Sequence, residues 1–178
     1  MIQLRDKHAN ANELLKVALQ ILPLTRAAGA LLIINDRLDV AIASQADGVH
    51  LGPDDPPVAD VRRVVSKNFI IGYSTDDPML GKSAESQGAN YLGCGTVYHT
   101  STKSDAGKPI GAHGIKAMVN ATNIPVVAIG GIRPENTPEL LEAGASGVAV
   151  IGSIMSSPRP GLTTEQFLKH FPGPQANN

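Results

Sequence analysis

The sequence predicts an α/β protein built on a parallel sheet, and three observations predict it. One motif recurs: a helical stretch ends at glycine or alanine, turns, and runs into a hydrophobic strand. It reads Arg26-Ala27-Ala28-Gly29-Ala30-Leu31-Leu32, then Gln45-Ala46-Asp47-Gly48-Val49, Gln87-Gly88-Ala89-Asn90-Tyr91-Leu92 and Ala143-Gly144-Ala145-Ser146-Gly147-Val148. Glycine just past a helix takes the left-handed conformation that ends it. The strands are continuous apolar runs, as strands buried on both faces are. The composition, 42% apolar but only 3% aromatic, leaves Ala, Val, Ile, Leu and Gly to build the core, which suits helices layered closely on strands.

Seven strands are expected, near 1–4, 31–34, 48–51, 69–73, 91–94, 125–129 and 147–150. Between the first two, Leu14, Leu15, Ala18, Ile21 and Leu22 fall at helical spacing in a helix over 12–28. Pro23 predicts a kink or break in it. Shorter helices follow over 39–44 and 58–65, the second after Pro56-Pro57, then over 77–87 and 111–121. A helix over 134–143 has Pro134 in its first turn, where a missing N–H costs nothing. The 178 residues suit one well-buried domain, expected over 1–171, with a disordered tail over 172–178. Seven strand–helix units predict either an open doubly wound sheet or a (β/α)8 TIM barrel one strand short. No Gly-x-Gly-x-x-Gly follows the first strand, so the dinucleotide-binding version has little support. The first strand begins at residue 1, so the barrel reading implies that the first strand–helix unit is lacking at the N-terminus.

Bulk properties exclude several classes. The net charge of −1, with no basic stripe, gives no footprint for nucleic acid. Cys94 is the only cysteine, so no intramolecular disulfide forms. No apolar run approaches the roughly 18 residues that span a bilayer, and the N-terminus lacks a signal-peptide pattern. A cytoplasmic protein without a membrane partner is expected.

In a parallel barrel, chemistry collects where strands deliver their C-terminal loops. Those ends read Gln3-Leu4-Arg5-Asp6-Lys7, Asn35-Asp36-Arg37, Asp54-Asp55, Ser74-Thr75, Gly95-Thr96 with the loop Thr100-Ser101-Thr102-Lys103, Gly130-Gly131 and Ile151-Gly152. Asp36 and Asp55 are candidate metal ligands, because Mg²⁺ is held by one or two carboxylates plus water and substrate phosphates. Asp54 is the weaker candidate. The alternative is helix capping, with Asp36 capping the helix near 39 and Asp54 or Asp55 the helix from 58. Arg5 and Lys7, two apart after a strand, share a face and offset anionic charge, and Lys103 adds a third cation from a loop. Their alternative is solvated surface charge. Gly130-Gly131 and Ile151-Gly152 end the last two strands, where barrels bind phosphate through backbone N–H groups. His50 lies within a strand and reads as a pocket wall. His99 and His113 have no evident acid partner, and Ser74 has no nucleophile context.

This ordered set resembles the thiamine-phosphate synthase family. The matching runs are Gln3 to Lys7, Leu32-Ile33-Ile34-Asn35-Asp36-Arg37, Ala46 to Gly52 with Asp54-Asp55, Ile71-Gly72-Tyr73-Ser74, Tyr91 to Val97 with Thr100 to Lys103, and Pro125 to Ile132. The resemblance implies a (β/α)8 barrel that joins hydroxymethylpyrimidine diphosphate to hydroxyethylthiazole phosphate, giving thiamine phosphate and diphosphate. It implies Mg²⁺ on Asp36 and Asp55, and diphosphate on Arg5, Lys7, Asn35 and Lys103. Gln3 and Ser74 are implied on the pyrimidine side, with the whole run Gln3, Leu4, Arg5, Asp6, Lys7 in substrate binding. Thr100, Ser101, Thr102, Gly131, Ile151 and Gly152 are implied at the thiazole phosphate. Arg5, Lys7, Ser74 and Lys103 make up the implied catalytic group. Small-molecule substrates are the expected partners, and two open sheet edges would favour association of copies, poor folding or a truncated start. Three departures stand out: the absent first unit, Gly152 where the family often has serine, and His99 in place of a common proline. A thiazole tautomerase of the same barrel and a non-catalytic phosphate-binding barrel are the competing readings.

Overall fold

The computed structural model describes residues 1–100 and 107–171. Strands and helices alternate through the described residues. The elements are β1 (Ile2–Leu4), α1 (Ala11–Ala27), β2 (Leu32–Asn35), α2 (Leu38–Ala43), β3 (Gly48–Leu51), α3 (Val58–Val64), β4 (Ile70–Ser74), α4 (Pro78–Ser86) and β5 (Tyr91–Cys94). They continue with α5 (Gly111–Ala121), β6 (Val126–Ile129), a 3₁₀ turn (Pro134–Asn136), α6 (Thr137–Glu142), β7 (Gly147–Ala149), α7 (Gly152–Met155) and α8 (Pro160–Leu168). All seven expected strands form within a residue or two of their predicted bounds. The contacts group into two compact units, 1–74 with 83–91, and 75–82 with 92 onward.

In the first unit β1, β2, β3 and β4 pair in chain order and all in parallel. Gln3 lies opposite Ile33, Asn35 opposite His50, and His50 opposite Gly72. Leu32, Ile33, Ile34, Val49, Leu51 and Ile71 are fully buried, so β2 to β4 carry the core of this unit. Asp47 and Asn90 each secure the start of a strand: Leu32 N donates to Asp47 Oδ2 at 2.7 Å, and Ile71 N to Asn90 Oδ1 at 2.8 Å. Helix α1 is started by a capping box, in which Asn10 Oδ1 accepts from Asn12 N and Glu13 N while Glu13 Oε2 accepts from Asn10 N.

The break expected at Pro23 does not occur, and α1 runs through it as one helix. Pro23 lies on the exposed face, between Leu22 turned inward and an exposed Leu24, so water can take the carbonyl that proline leaves unpaired.

In the second unit β5, β6 and β7 pair in parallel, with Leu92 opposite Val126 and Ala128 opposite Val148. Leu92, Ile115, Met118, Ala128 and Leu140 fill its interior. Helices α7 and α8 were not anticipated. Helix α8 buries only Phe167 and exposes Leu162 and Leu168, so its apolar residues trace no clear helical stripe. The segment expected as one helix from residue 134 begins as the 3₁₀ turn and becomes α-helical at Thr137.

Candidate active site

The first unit gathers most of the expected residues at the C-terminal ends of β1 to β4. After β1 the chain turns about Asp6, whose Oδ1 accepts from His8 N at 2.9 Å and Ala9 N at 3.2 Å. These two N–H groups hold the Asp6 carboxyl below the usual carboxylate range. The turn closes the backbone from Asp6 to Ala9, with Lys7 inside it, and leads directly into the α1 capping box.

After β2 the chain turns sharply at Asp36. Arg37 N donates to Asn35 O at 2.7 Å across a three-residue turn, and Asp36 itself has φ 62°. A left-handed residue other than glycine at the centre of so tight a turn is strained by about 1–3 kcal/mol, a cost found most often at functional sites. After β3, Asp55 Oδ2 accepts from Gly52 N at 2.6 Å. The capping alternative fails for these acids: the N-cap position of α2 is Arg37 and that of α3 is Pro57, and neither helix has a side-chain cap. Burial raises the Asp55 pKa; the Gly52 N–H opposes that, and the Asp36 and Asp54 carboxylates raise it further.

Two mutually repelling carboxylates on adjacent strand ends, one strained and neither used as a cap, match the donor chemistry of a hard divalent cation. Among the described residues no group of three or more His, Cys, Asp or Glu side chains is arranged to hold an ion.

Behind these acids lies a polar chain that sequence reasoning missed. His50 is buried on β3. Its Nδ1 meets Tyr91 Oη at 2.9 Å and its Nε2 meets Ser74 Oγ at 2.7 Å. Burial pushes the Tyr91 phenol up to about 12, partly opposed by a hydrogen bond from the Gln3 side chain. The Ser–His contact is not a hydrolytic triad, because a protonated phenol stands where a carboxylate would be needed. Gly72 makes room for it: a Cβ there would overlap both the Tyr91 ring and His50 Nδ1. A glycine inside a strand marks such a close approach, and that was the available sequence signal.

In the second unit, the chain after β5 runs along the end of β6. Val97 N donates to Ile129 O at 2.9 Å and Tyr98 N to Gly130 O at 3.0 Å. Gly131, at φ 64°, lies against the Tyr98–His99 backbone so closely that a Cβ would come within 2.9 Å of Tyr98 Cβ. Tyr98 Oη donates to Glu139 Oε2 at 2.9 Å, which ties this segment to α6. Ile151 is exposed, Gly152 opens α7, and Ser153 Oγ donates to Ile132 O at 2.6 Å. The Ser153 hydroxyl is therefore engaged with the backbone beside Gly152.

A profile described as "Thiamine monophosphate synthase" matches residues 1–154. The chain belongs to the thiamine monophosphate synthase family. It is 46% identical over 167 residues to the thiamine-phosphate synthase of Methanospirillum hungatei, covering 94% of this chain and 81% of that one. It is 44% identical over 157 residues to that of Chloroflexus aurantiacus, covering 88% and 72%. Thiamine phosphate pyrophosphorylase from Pyrococcus furiosus superposes with a TM-score of 0.88 at 40% identity, covering 95% of this chain and 81% of that one.

As a member of the thiamine monophosphate synthase family, the chain places its expected residues in two groups. Gln3, Leu4, Arg5, Asp6, Lys7, Asn35, Asp36, Asp55 and Ser74 lie in the first unit, and Thr100, Gly131, Ile151 and Gly152 in the second. Ser101, Thr102 and Lys103 lie outside the described residues. Asp6 spends one carboxylate oxygen on its own turn, and Leu4 is a half-buried strand residue. Cys94 is fully buried, and burial pushes its thiol up to about 12, so it offers no nucleophile at neutral pH. No helix of the described residues is long and apolar enough to cross a membrane.

Proposed function

We propose that this chain transfers the hydroxymethylpyrimidine group from its diphosphate to the ring nitrogen of hydroxyethylthiazole phosphate, as a cytoplasmic enzyme whose residues 1–171 form one (β/α)8-type catalytic domain. The bond from the pyrimidine methylene carbon to the diphosphate oxygen breaks, and the thiazole nitrogen supplies the electron pair for the new carbon–nitrogen bond. The products are thiamine phosphate and diphosphate. The observation that carries this reading is that Asp36 and Asp55 follow the ends of the paired strands β2 and β3 and that neither caps a helix. The resemblance to named thiamine-phosphate synthases supports it.

In this reading Asp36 and Asp55 hold Mg²⁺, which when bound neutralises charge on the diphosphate as it leaves. Arg5 and Lys7, with Asn35 and Lys103, receive the same diphosphate. The Asp6 turn holds the backbone at Lys7 before substrate arrives, so less ordering cost falls on the reaction there. Gln3 and Ser74 hold the pyrimidine. Thr100, Ser101, Thr102, Gly131, Ile151 and Gly152 hold the thiazole phosphate. The reaction needs a good leaving group and two positioned substrates, and no strong general base. A pair of acids placed for a cation argues against the tautomerase reading, which has no diphosphate to expel.

The test is direct. Purified protein with both substrates and Mg²⁺ is expected to form thiamine phosphate, and excess chelator to stop it. Asp36→Asn and Asp55→Asn are each expected to lower the rate by more than about a hundredfold. Absence of product from folded wild-type protein with Mg²⁺ overturns the proposal.

A further inference from the structure

The chain from Gln3 to Ser74 has a direction, and the direction is set by chemistry. His50 is 7% exposed and both its ring nitrogens are engaged, Nδ1 by the Tyr91 phenol at 2.9 Å and Nε2 by the Ser74 hydroxyl at 2.7 Å. A neutral imidazole has one donor and one acceptor nitrogen, so only two arrangements satisfy it. In one, Tyr91 donates to Nδ1 and Nε2–H donates to Ser74 Oγ. In the other every bond is reversed, and the Ser74 proton is spent on Nε2.

Two features select the first arrangement. Gln3 lowers the pKa of the phenol against the effect of burial, as a side-chain N–H donated to the phenol oxygen does. With its oxygen accepting from Gln3, the phenol has its own proton to donate, and His50 Nδ1 is the acceptor beside it. A phenol O–H is also a stronger donor than an imidazole N–H, and an imidazole nitrogen a stronger acceptor than a phenol oxygen. Buried as it is, Tyr91 stays protonated far above neutral pH, so this donor persists.

We infer that Tyr91 and His50 are positioning residues that fix the His50 Nε2–H tautomer and so present the Ser74 hydroxyl proton to the ligand as a donor. In this arrangement Gln3 spends its amide N–H on Tyr91 and keeps its carbonyl oxygen to accept. The pair offers one donor and one acceptor, the complement of an aminopyrimidine edge with its ring nitrogen and exocyclic N–H. The reversed arrangement would offer the ligand no Ser74 proton. Gly72 belongs to the same device, since a side chain there would part the two rings. The inference rests on the proposed pyrimidine site for the identity of the ligand, but the tautomer stands independently of it.

The tautomer is read by long-range ¹H–¹⁵N correlation spectra of the ligand-free protein, with His50 assigned through His50→Asn. Protonation at Nε2 is expected, and protonation at Nδ1 or at both nitrogens overturns the inference even if the enzyme is active. Tyr91→Phe is expected to weaken that preference and to raise KM for the pyrimidine diphosphate about tenfold, the worth of one hydrogen bond, while KM for the thiazole phosphate is unchanged. In a Ser74→Ala background Tyr91→Phe is expected to add nothing, and an additive effect overturns the route through Ser74. If the wild-type protein forms no product, the functional reading fails while the spectra still decide the tautomer.

Discussion

Replacing Gly72 with alanine tests the packing on which the polar chain depends. Gly72 sits in β4 opposite His50, and its φ lies outside the left-handed region, so alanine adds no backbone strain and the effect isolates one methyl group. The new Cβ would overlap Tyr91 and His50 Nδ1, which are parts of rigid rings rather than flexible side-chain ends. One ring must move, and the 2.9 Å bond between them is lost. Overpacking of this kind costs about 1–3 kcal/mol and the lost bond about 1 kcal/mol. The reduced freedom of the unfolded chain returns about 0.4–1 kcal/mol. The net is about 1–3.5 kcal/mol, or a fall in Tm of roughly 2–14 °C for a chain of this size. Calorimetry measures it, and pyrimidine diphosphate KM should rise in the same variant. An unchanged Tm together with an unchanged KM would refute the close approach of Gly72, His50 and Tyr91.

Other substitutions probe separate links. Asp36→Gly is expected to raise Tm, because glycine relieves up to about 1–3 kcal/mol of left-handed strain, while abolishing activity and any rise of Tm on adding Mg²⁺; a fall in Tm would contradict the strain. Asp6→Asn keeps an oxygen for His8 N and Ala9 N, so its activity should stay near wild type while Asp6→Ala raises KM for the pyrimidine diphosphate; equal losses in both would mean the charge acts directly. Cys94 should resist iodoacetamide at pH 8 in the native state and react in denaturant, as mass spectrometry would show. Tyr91, raised from 10.0 to about 12, favours folding fully below pH 10 and loses that contribution as pH rises through 12. The loss amounts to about 2–3 kcal/mol, so Tyr91→Phe should show a shallower decline of stability over that interval in denaturant titrations.

The strands were legible because Leu32-Ile33-Ile34 and Val126-Val127-Ala128-Ile129 are short apolar runs bounded by turn residues, a pattern that depends only on local sequence. The acids at their ends were legible as residue types but not as ligands, since Asp36 and Asp55 also fit capping positions. Only the backbone, which puts Arg37 and Pro57 at the N-cap positions of α2 and α3, removes that alternative. The His50 contacts to Ser74 and Tyr91 span 24 and 41 residues, and parallel register, not local pattern, brings them together. The break, one of the two outcomes expected at Pro23, is absent because its cost depends on whether its face meets water, which spacing does not reveal.

The central claim is coupled transfer. Purified protein supplied with both substrates and Mg²⁺ should release diphosphate and thiamine phosphate in one-to-one amounts, followed together by chromatography. Omitting the thiazole phosphate should stop the formation of thiamine phosphate entirely. A folded protein that binds Mg²⁺ yet forms no thiamine phosphate from the two substrates would contradict the account.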